Sequence, residues 1–559
     1  MATYYIDYNR GSDSNAGTSS SAPWQNLSKI AAVTGATAGD SFLLADDSSW
    51  VLTPATRVVP PTSWTGEQKN PVIIGKYSPS SQSTGQRPLI TCNVTTVAGD
   101  WTYNAGLNGW TYSYPTAHIN RAVLIRLGGT WLANTYDMTT GAAVESIDGR
   151  FNIQVGAQGI ILYAPASVNP VTYYGNVVIS AQASGAITLS SGRKWVTVQD
   201  IAFTETGCGV LLYSADAVAA GFVVQRCKMQ TGGSLAVANG ESPGNLRGWI
   251  LNNEIVDFGA IGIHGNAISG AGIAYLEING NRIDDGVRSW AQGGIYVQVR
   301  NTTRDSICQV INNEVSRCRW GSQGKSLDGS GIYIETGSDG VLVANNTIHD
   351  QYCAIQDNSG RRNTFTGNLI YNCRLGIRVS DQSGNNQSDH RSYNNTIIVG
   401  DTRQVPSEFG GAQGQEYPGY WMYKTASTLN VAAKNNIIAN VGGGTALATF
   451  GLPDVYATST YDIANNWVYG FAADSLKASD DSAATPTSGA ITNAGTTSPT
   501  QYLTESHALR SAEYTLVSPN PLATVGTYFA GARLMNGRAR PGWTPVGAYA
   551  ALLPRTART

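Results

Sequence analysis

The residues best suited to moving protons sit in five short runs of one design, a small residue followed by alternating apolar and polar positions. GIHGN begins at Gly262, GIYVQ at Gly294, GIYIE at Gly331, AIQDN at Ala354 and GIRVS at Gly376. Side chains alternate faces along an extended strand, so the Ile and Val of each run face inward and the residues between them outward. Laid side by side, the runs give an outer column of His264, Tyr296, Tyr333, Gln356 and Arg378. A second column holds Asn266, Gln298, Glu335, Asn358 and Ser380, and a later run, GYWMY, extends the two with Trp421 and Tyr423.

Glu335 is the leading catalytic candidate, because it stands beside Tyr333 in the middle run with Arg378 two runs on. Asp328, in the turn KSLDGSG just before it, is the nearest candidate partner. Two carboxylates a water's width apart invert a glycosidic centre on hydrolysis, and a closer pair retains it. Elimination would instead use Tyr333 or His264 as base, with Arg378 or Lys325 neutralising a uronate carboxylate. Tyr296, Gln298, Gln356, Asn358, Trp421 and Tyr423 are the candidate binding residues: aromatic faces stack on sugar rings and amides read hydroxyls. The competing explanation is a cross-strand aromatic ladder that only stabilises a sheet.

These runs need an element that repeats. Between them recurs a second motif, an apolar run closed by Asn-Asn or Gly-Asn and an apolar residue: WILNNEI, LEINGNRI, CQVINNEV, VLVANNTI, FTGNLI, YNNTII, AKNNII and IANNWV. The second Asn falls at 253, 281, 313, 346, 368, 395, 436 and 466, giving spacings of 28, 32, 33, 22, 27, 41 and 30. Two strands per period without an amphipathic helix between them predict a solenoid of stacked coils, a parallel β-helix. Coils stack roughly 4.8 Å apart, so eight would offer a strip on the order of 35 Å long. Asn at a fixed turn position tolerates left-handed backbone and can hydrogen-bond from coil to coil, so its expected role is structural.

The ends carry a resemblance. YYIDYNRGSDSNAGTSSSAPWQNLSKIA, followed by GDSFLLA, PVIIGKY and RPLI, resembles the opening of the pectate-lyase-like right-handed β-helix group, which includes polysaccharide lyases, glycosidases and phage tailspikes. The resemblance implies that Pro23, Trp24 and Leu27 begin a capping helix over the first coil, where an open end would expose strand edges. NGRARPGWTPVGAYAAL similarly resembles the group's closing strand. The alginate-lyase and chondroitinase branch carries an Asn-Gly-Glu-rich calcium region followed by a catalytic Lys and Arg. Lys325 stands alone here and Gly240-Glu241 lacks the following acidic pattern, so neither that branch nor a metal is expected.

The expected organisation is therefore all-β: a cap and first coils over 1–92, an inserted antiparallel β subdomain over 93–175, the main helix over 176–473, and a linker with closing segment over 474–559.

Composition agrees with short strands and tight turns: 63 Gly and only 13% charged residues in 559. A net charge of −2 gives no electrostatic footprint for nucleic acid, and no run is apolar enough to enter a membrane. Seven Cys, without CxxC spacing, predict buried free thiols rather than a disulfide framework or a metal site. Cys208, Cys318, Cys353 and Cys373 are expected to form a column just ahead of the second run. His349-Asp350 and Asp389-His390 are expected on solvated turns.

The opening residues lack a secretory signal. Together with the resemblance this points to a tailspike-like protein of a virion tail that binds and depolymerises a bacterial surface polysaccharide. No cofactor is expected. As the resemblance implies, it would be a homotrimer attached through a phage tail adaptor protein. A secreted or periplasmic lyase or glycosidase, and a spike that only binds, are the alternatives.

Overall fold

The computed structural model describes residues 1–53, 55–79, 85–113, 123–131, 136–137, 151–154, 159–181, 185–190, 192–214, 220–240, 246–259, 261–267, 273–286, 293–299, 307–318, 330–358, 360–373, 375–381, 388–399, 419–424, 429–434, 436–440, 450–452, 460–464, 466–469, 476–478, 503–508 and 511–516. They fall into two compact units, parted between Tyr296 and Val297 apart from short exchanged segments.

In the first unit each coil crosses three parallel sheets. One coil runs through Val196–Gln199, Ala202–Thr204 and Cys208–Ser214, and the next begins at Ala220–Gln225. Val196 pairs with Phe222, Ala202 with Lys228 and Cys208 with Ser234, all parallel and in register. The periodicity responsible is that of a strand. Val196, Val198, Phe222, Val224, Ile250, Leu276 and Ile278 point into the coil with no exposed surface, and every second residue points out.

The start of the chain is closed by a stack of rings, Trp24 on Tyr4 at 5.0 Å, Tyr4 on Phe42 at 5.1 Å and Phe42 on Trp64 at 4.6 Å. The capping helix covers only Ser28–Ala32, a few residues after the Pro-Trp pair, and buries Ile30. Trp24 therefore caps as a ring rather than as a helical residue.

Between residues 94 and 181 the pairing changes to mainly antiparallel, in one four-stranded and one five-stranded sheet. Trp101, Tyr112, Ile125, Ile160, Leu162, Val177 and Ile179 share one core there.

The second unit repeats the three-sheet coil. Its first sheet runs from Ile307–Ile311 to Thr460–Ala464, its second from Glu314–Cys318 to Trp467–Tyr469 and its third from Ser330–Ile334 to Leu476–Ala478. Leu503–Ala508 and Ser511–Leu516 form an antiparallel hairpin, and the expected closing strand lies outside the described residues.

The Asn repeat divides its labour. Asn252, Asn312, Asn345 and Asn394 take φ between 55° and 59°, and Gly280 and Gly367 take 70° and 68° at the equivalent place. That first position turns the chain, which only Gly or a short polar side chain does readily. The second Asn builds the ladder. Asn368 Nδ2 donates to Asn395 Oδ1 at 2.9 Å and to Val343 O at 3.0 Å, and its Oδ1 accepts from the Asn346 backbone and side chain, each at 3.0 Å. The pattern continues through Asn395, Asn436 and Asn466, all fully buried.

All seven Cys are free and buried. They do not form one column: Cys208 and Cys353 open strands of the third sheets, whereas Cys318 and Cys373 close strands of the second unit's second sheet. The corner between two sheets accepts a small thiol on either side. Burial pushes the Cys92, Cys227 and Cys308 thiols up to about 12, so none is a ready nucleophile.

Candidate functional site

The candidate residues of the second unit lie on its third sheet. Tyr333 pairs with Gln356, Gln356 with Arg378 and Arg378 with Trp421. One alternation further on, Asn358 pairs with Ser380 and Ser380 with Tyr423. Both columns read from the sequence therefore exist within this unit. Ile332, Ile355, Ile377 and Val379 face the other way, fully buried.

Two of these residues are joined by one amide. Asn358 Nδ2 donates to the Tyr333 hydroxyl at 3.1 Å and to Glu335 Oε1 at 3.2 Å. Glu335 also accepts from the Thr336 backbone at 2.7 Å, and it opens a turn closed by Ser338 N to its own carbonyl at 3.1 Å. Gly337 takes φ of 82° at the third position of that turn, where a side chain would be strained. The turn leaves the Glu335 carboxylate half-buried at the strand end. Gln298 is also half-buried and donates to Thr336 O at 3.3 Å.

The rest of the outer column is not an open groove. Tyr333 and Arg378 are 3% exposed and Gln356 is 1% exposed; Tyr296 and Asn358 are buried too. The alternation directs them away from the coil interior, but coils this closely spaced let each long side chain cover its neighbour. Ser330 Oγ, for example, donates to Gln356 Oε1 at 3.0 Å. In the first unit His264 is half-buried and meets Tyr296 edge to face at 4.8 Å. Asp328 and Lys325 lie outside the described residues, as do the side chains of Trp421 and Tyr423.

The two histidines of the pairs expected on solvated turns are buried in strands instead. His390 lies in the strand Ser388–Tyr393, and its partner is not Asp389 but Asp357, with Nδ1 2.8 Å from Oδ2 and neither side chain exposed. Asp357 also accepts from Gly360 N at 3.0 Å and Asn363 Nδ2 at 2.8 Å. The signal was present in the sequence: Asp357 shares the inward parity of Ile355.

His349 ends the strand Thr347–His349, stacked on Tyr371 at 4.8 Å. Its Nδ1 lies 2.7 Å from Asp350 and its Nε2 3.6 Å from Glu314. Burial opposes ionisation of His349, but the hydrogen bond to Asp350 and the nearby Glu314 carboxylate outweigh it and hold the pKa above the usual value. A raised folded-state value means that ionised His349 stabilises the fold fully below the unfolded value of about 6.5, and that the gain disappears as pH climbs through the folded value. Urea titrations of wild type and His349→Gln should accordingly differ most below that pH, by about 1–3 kcal/mol for a charge-assisted hydrogen bond, and converge in alkali. A pH-independent difference would contradict the assignment.

Among the described residues, no group of three or more His, Cys, Asp or Glu is placed to hold a metal ion. No helix among them is long and apolar enough to cross a membrane.

Comparison with known proteins agrees with this architecture. The family described as right handed beta helix region matches residues 297–488. The fold is that of a right-handed parallel β-helix. No curated protein sequence matches it. The chain aligns with the structure of XylC with xylose, at 12% identity, over 98% of each chain and with a TM-score of 0.53. A GH136 lacto-N-biosidase from Eubacterium ramulus aligns at 12% identity over 77% of this chain and 64% of that one, with a TM-score of 0.37. Pectate lyase Pel9A aligns at 12% identity over 99% and 97%, with a TM-score of 0.35. At 12% identity the likeness to XylC is one of fold.

Proposed function

We propose that this protein binds a bacterial surface polysaccharide and depolymerises it, in the manner of a phage tailspike. One observation carries the reading: a single amide, Asn358 Nδ2, holds the Tyr333 hydroxyl and the Glu335 carboxylate of the preceding coil together at the half-exposed end of a sheet. A carboxylate fixed by two donors keeps one orientation, as proton transfer to or from a bound sugar requires.

In this reading Glu335 is the acid or base at the scissile bond and Tyr333 and Asn358 orient it. Gln298, Trp421 and Tyr423 supply flanking contacts, and the half-buried His264, braced by the Tyr296 ring, makes a saccharide contact in the first unit. Asp328 is retained as the second carboxylate. Hydrolysis fits better than elimination, because Arg378, the group that would neutralise a uronate, is buried two coils on from Tyr333, in the column beside that of Glu335. Seven buried free thiols suit assembly in a reducing cytoplasm, as for a virion tail protein, and the same reading makes the protein a homotrimer seated on a tail adaptor.

Incubation with capsular and other surface polysaccharides tests the proposal. The expected result is a fall in polymer length with new reducing ends and no unsaturated product. Polymers that stay intact in the presence of bound protein would reduce the function to adhesion.

A further inference from the structure

The first sheet of the first unit carries an aromatic strip that the candidate site does not use. Trp195, Trp249 and Tyr275 come from the first, third and fourth of four consecutive coils. The Trp195 and Trp249 rings lie 5.6 Å apart at 32°, and those of Trp249 and Tyr275 5.0 Å apart at 35°. All three are half-buried.

The way Trp195 is held is unusual. Its φ is 53°, in the left-handed region that bulky residues rarely occupy. A Cβ built on Gly221 would fall 2.2–2.6 Å from atoms of the Trp195 ring. The ring therefore lies across the sheet over a missing side chain, with one face against backbone. Strained conformations of this sort concentrate at ligand-holding positions.

Polar groups flank the rings. Gln199 and Gln225 are in register one alternation beyond the row of Trp249, joined by a hydrogen bond of 2.9 Å, and both are half-buried. Tyr275 donates to Glu277 at 2.5 Å, which fixes its ring. Aromatic faces beside amides and a carboxylate match the alternating apolar faces and hydroxyl edges of a sugar chain.

We infer that Trp195, Trp249 and Tyr275 form a second glycan-binding strip, separate from the Glu335 site, that takes a polysaccharide of neutral pyranose sugars. The strip lets the protein stay on a polymer while another stretch of it is worked on, so the inference deepens the proposed function and rests on it for the polymer's role.

The test uses full-length Glu335→Gln protein, so that polymer is not consumed, in affinity electrophoresis with soluble xylan, dextran and polygalacturonate. Adding Trp249→Ala or Trp195→Ala should weaken retardation by a neutral polymer about tenfold, the factor that 1.4 kcal/mol of lost stacking represents. In otherwise wild-type protein both substitutions should leave cleavage of short oligosaccharides unchanged. The tryptophan emission of the Glu335→Gln parent should respond to the same neutral polymer. Folded Trp variants that bind as the parent does would make the strip a structural ladder and overturn the inference, leaving the depolymerase reading intact. A Trp-dependent response to polymer without any cleavage by wild type would support the strip and overturn that reading instead. Should the Trp variants fail to fold, Gln225→Ala serves, with unchanged retardation and a silent emission titration counting against the strip.

Discussion

Glu335→Gln is expected to lower the rate of polysaccharide cleavage by about 10²–10⁴-fold, the usual worth of a positioned acid or base. Gln keeps the side chain's length and an oxygen to accept from Thr336 N and Asn358 Nδ2, so fold and polymer affinity should be preserved. Reducing-end release and affinity electrophoresis on the same samples separate the two effects. Full activity in the variant would remove Glu335 from the chemistry. Asn358→Ala should fall between the two proteins, since it frees the carboxylate's orientation without removing the carboxylate.

The largest effect on stability is expected at Asn368→Ala. The substitution removes a group that donates to Val343 O and Asn395 Oδ1 and accepts from two nitrogens of Asn346. Those partners are buried, and each polar group left without a partner costs about 1–3 kcal/mol. The sum is on the order of 4 kcal/mol, a large fraction of a typical domain's net stability. Unfolding in urea, followed by far-UV circular dichroism, measures it. A loss below about 1 kcal/mol would mean that the ladder is incidental to the stacking of the coils.

The fold was legible because its two periods are both written in side chains. The NN and GN copies mark one corner of every coil, and the alternation in GIYIE and GIRVS sets which residues line the interior. Even so, the repeat did not separate the Asn that turns the chain from the Asn that bonds along the stack, because both positions tolerate the same residue. What alternation cannot report is cover. It gives the direction of Tyr333, Gln356 and Arg378 but not the neighbouring side chains that bury them.

His349 and His390 were misplaced for a related reason. A polar pair in sequence looks like a turn, whereas inside a solenoid a polar residue can find its partner a coil away, as His390 finds Asp357. Trp249 was hidden inside the repeat itself. In WILNNEI it reads as one more apolar residue, yet Ile250 takes the inward position and Trp249 the outward one.

The most direct test is a crystal structure of the Glu335→Gln protein soaked with a fragment of the polysaccharide that wild type shortens. The account predicts a sugar ring within hydrogen-bonding distance of residue 335 and of the Tyr333–Asn358 pair. Saccharide bound in the crystal but nowhere near that carboxylate position would contradict it.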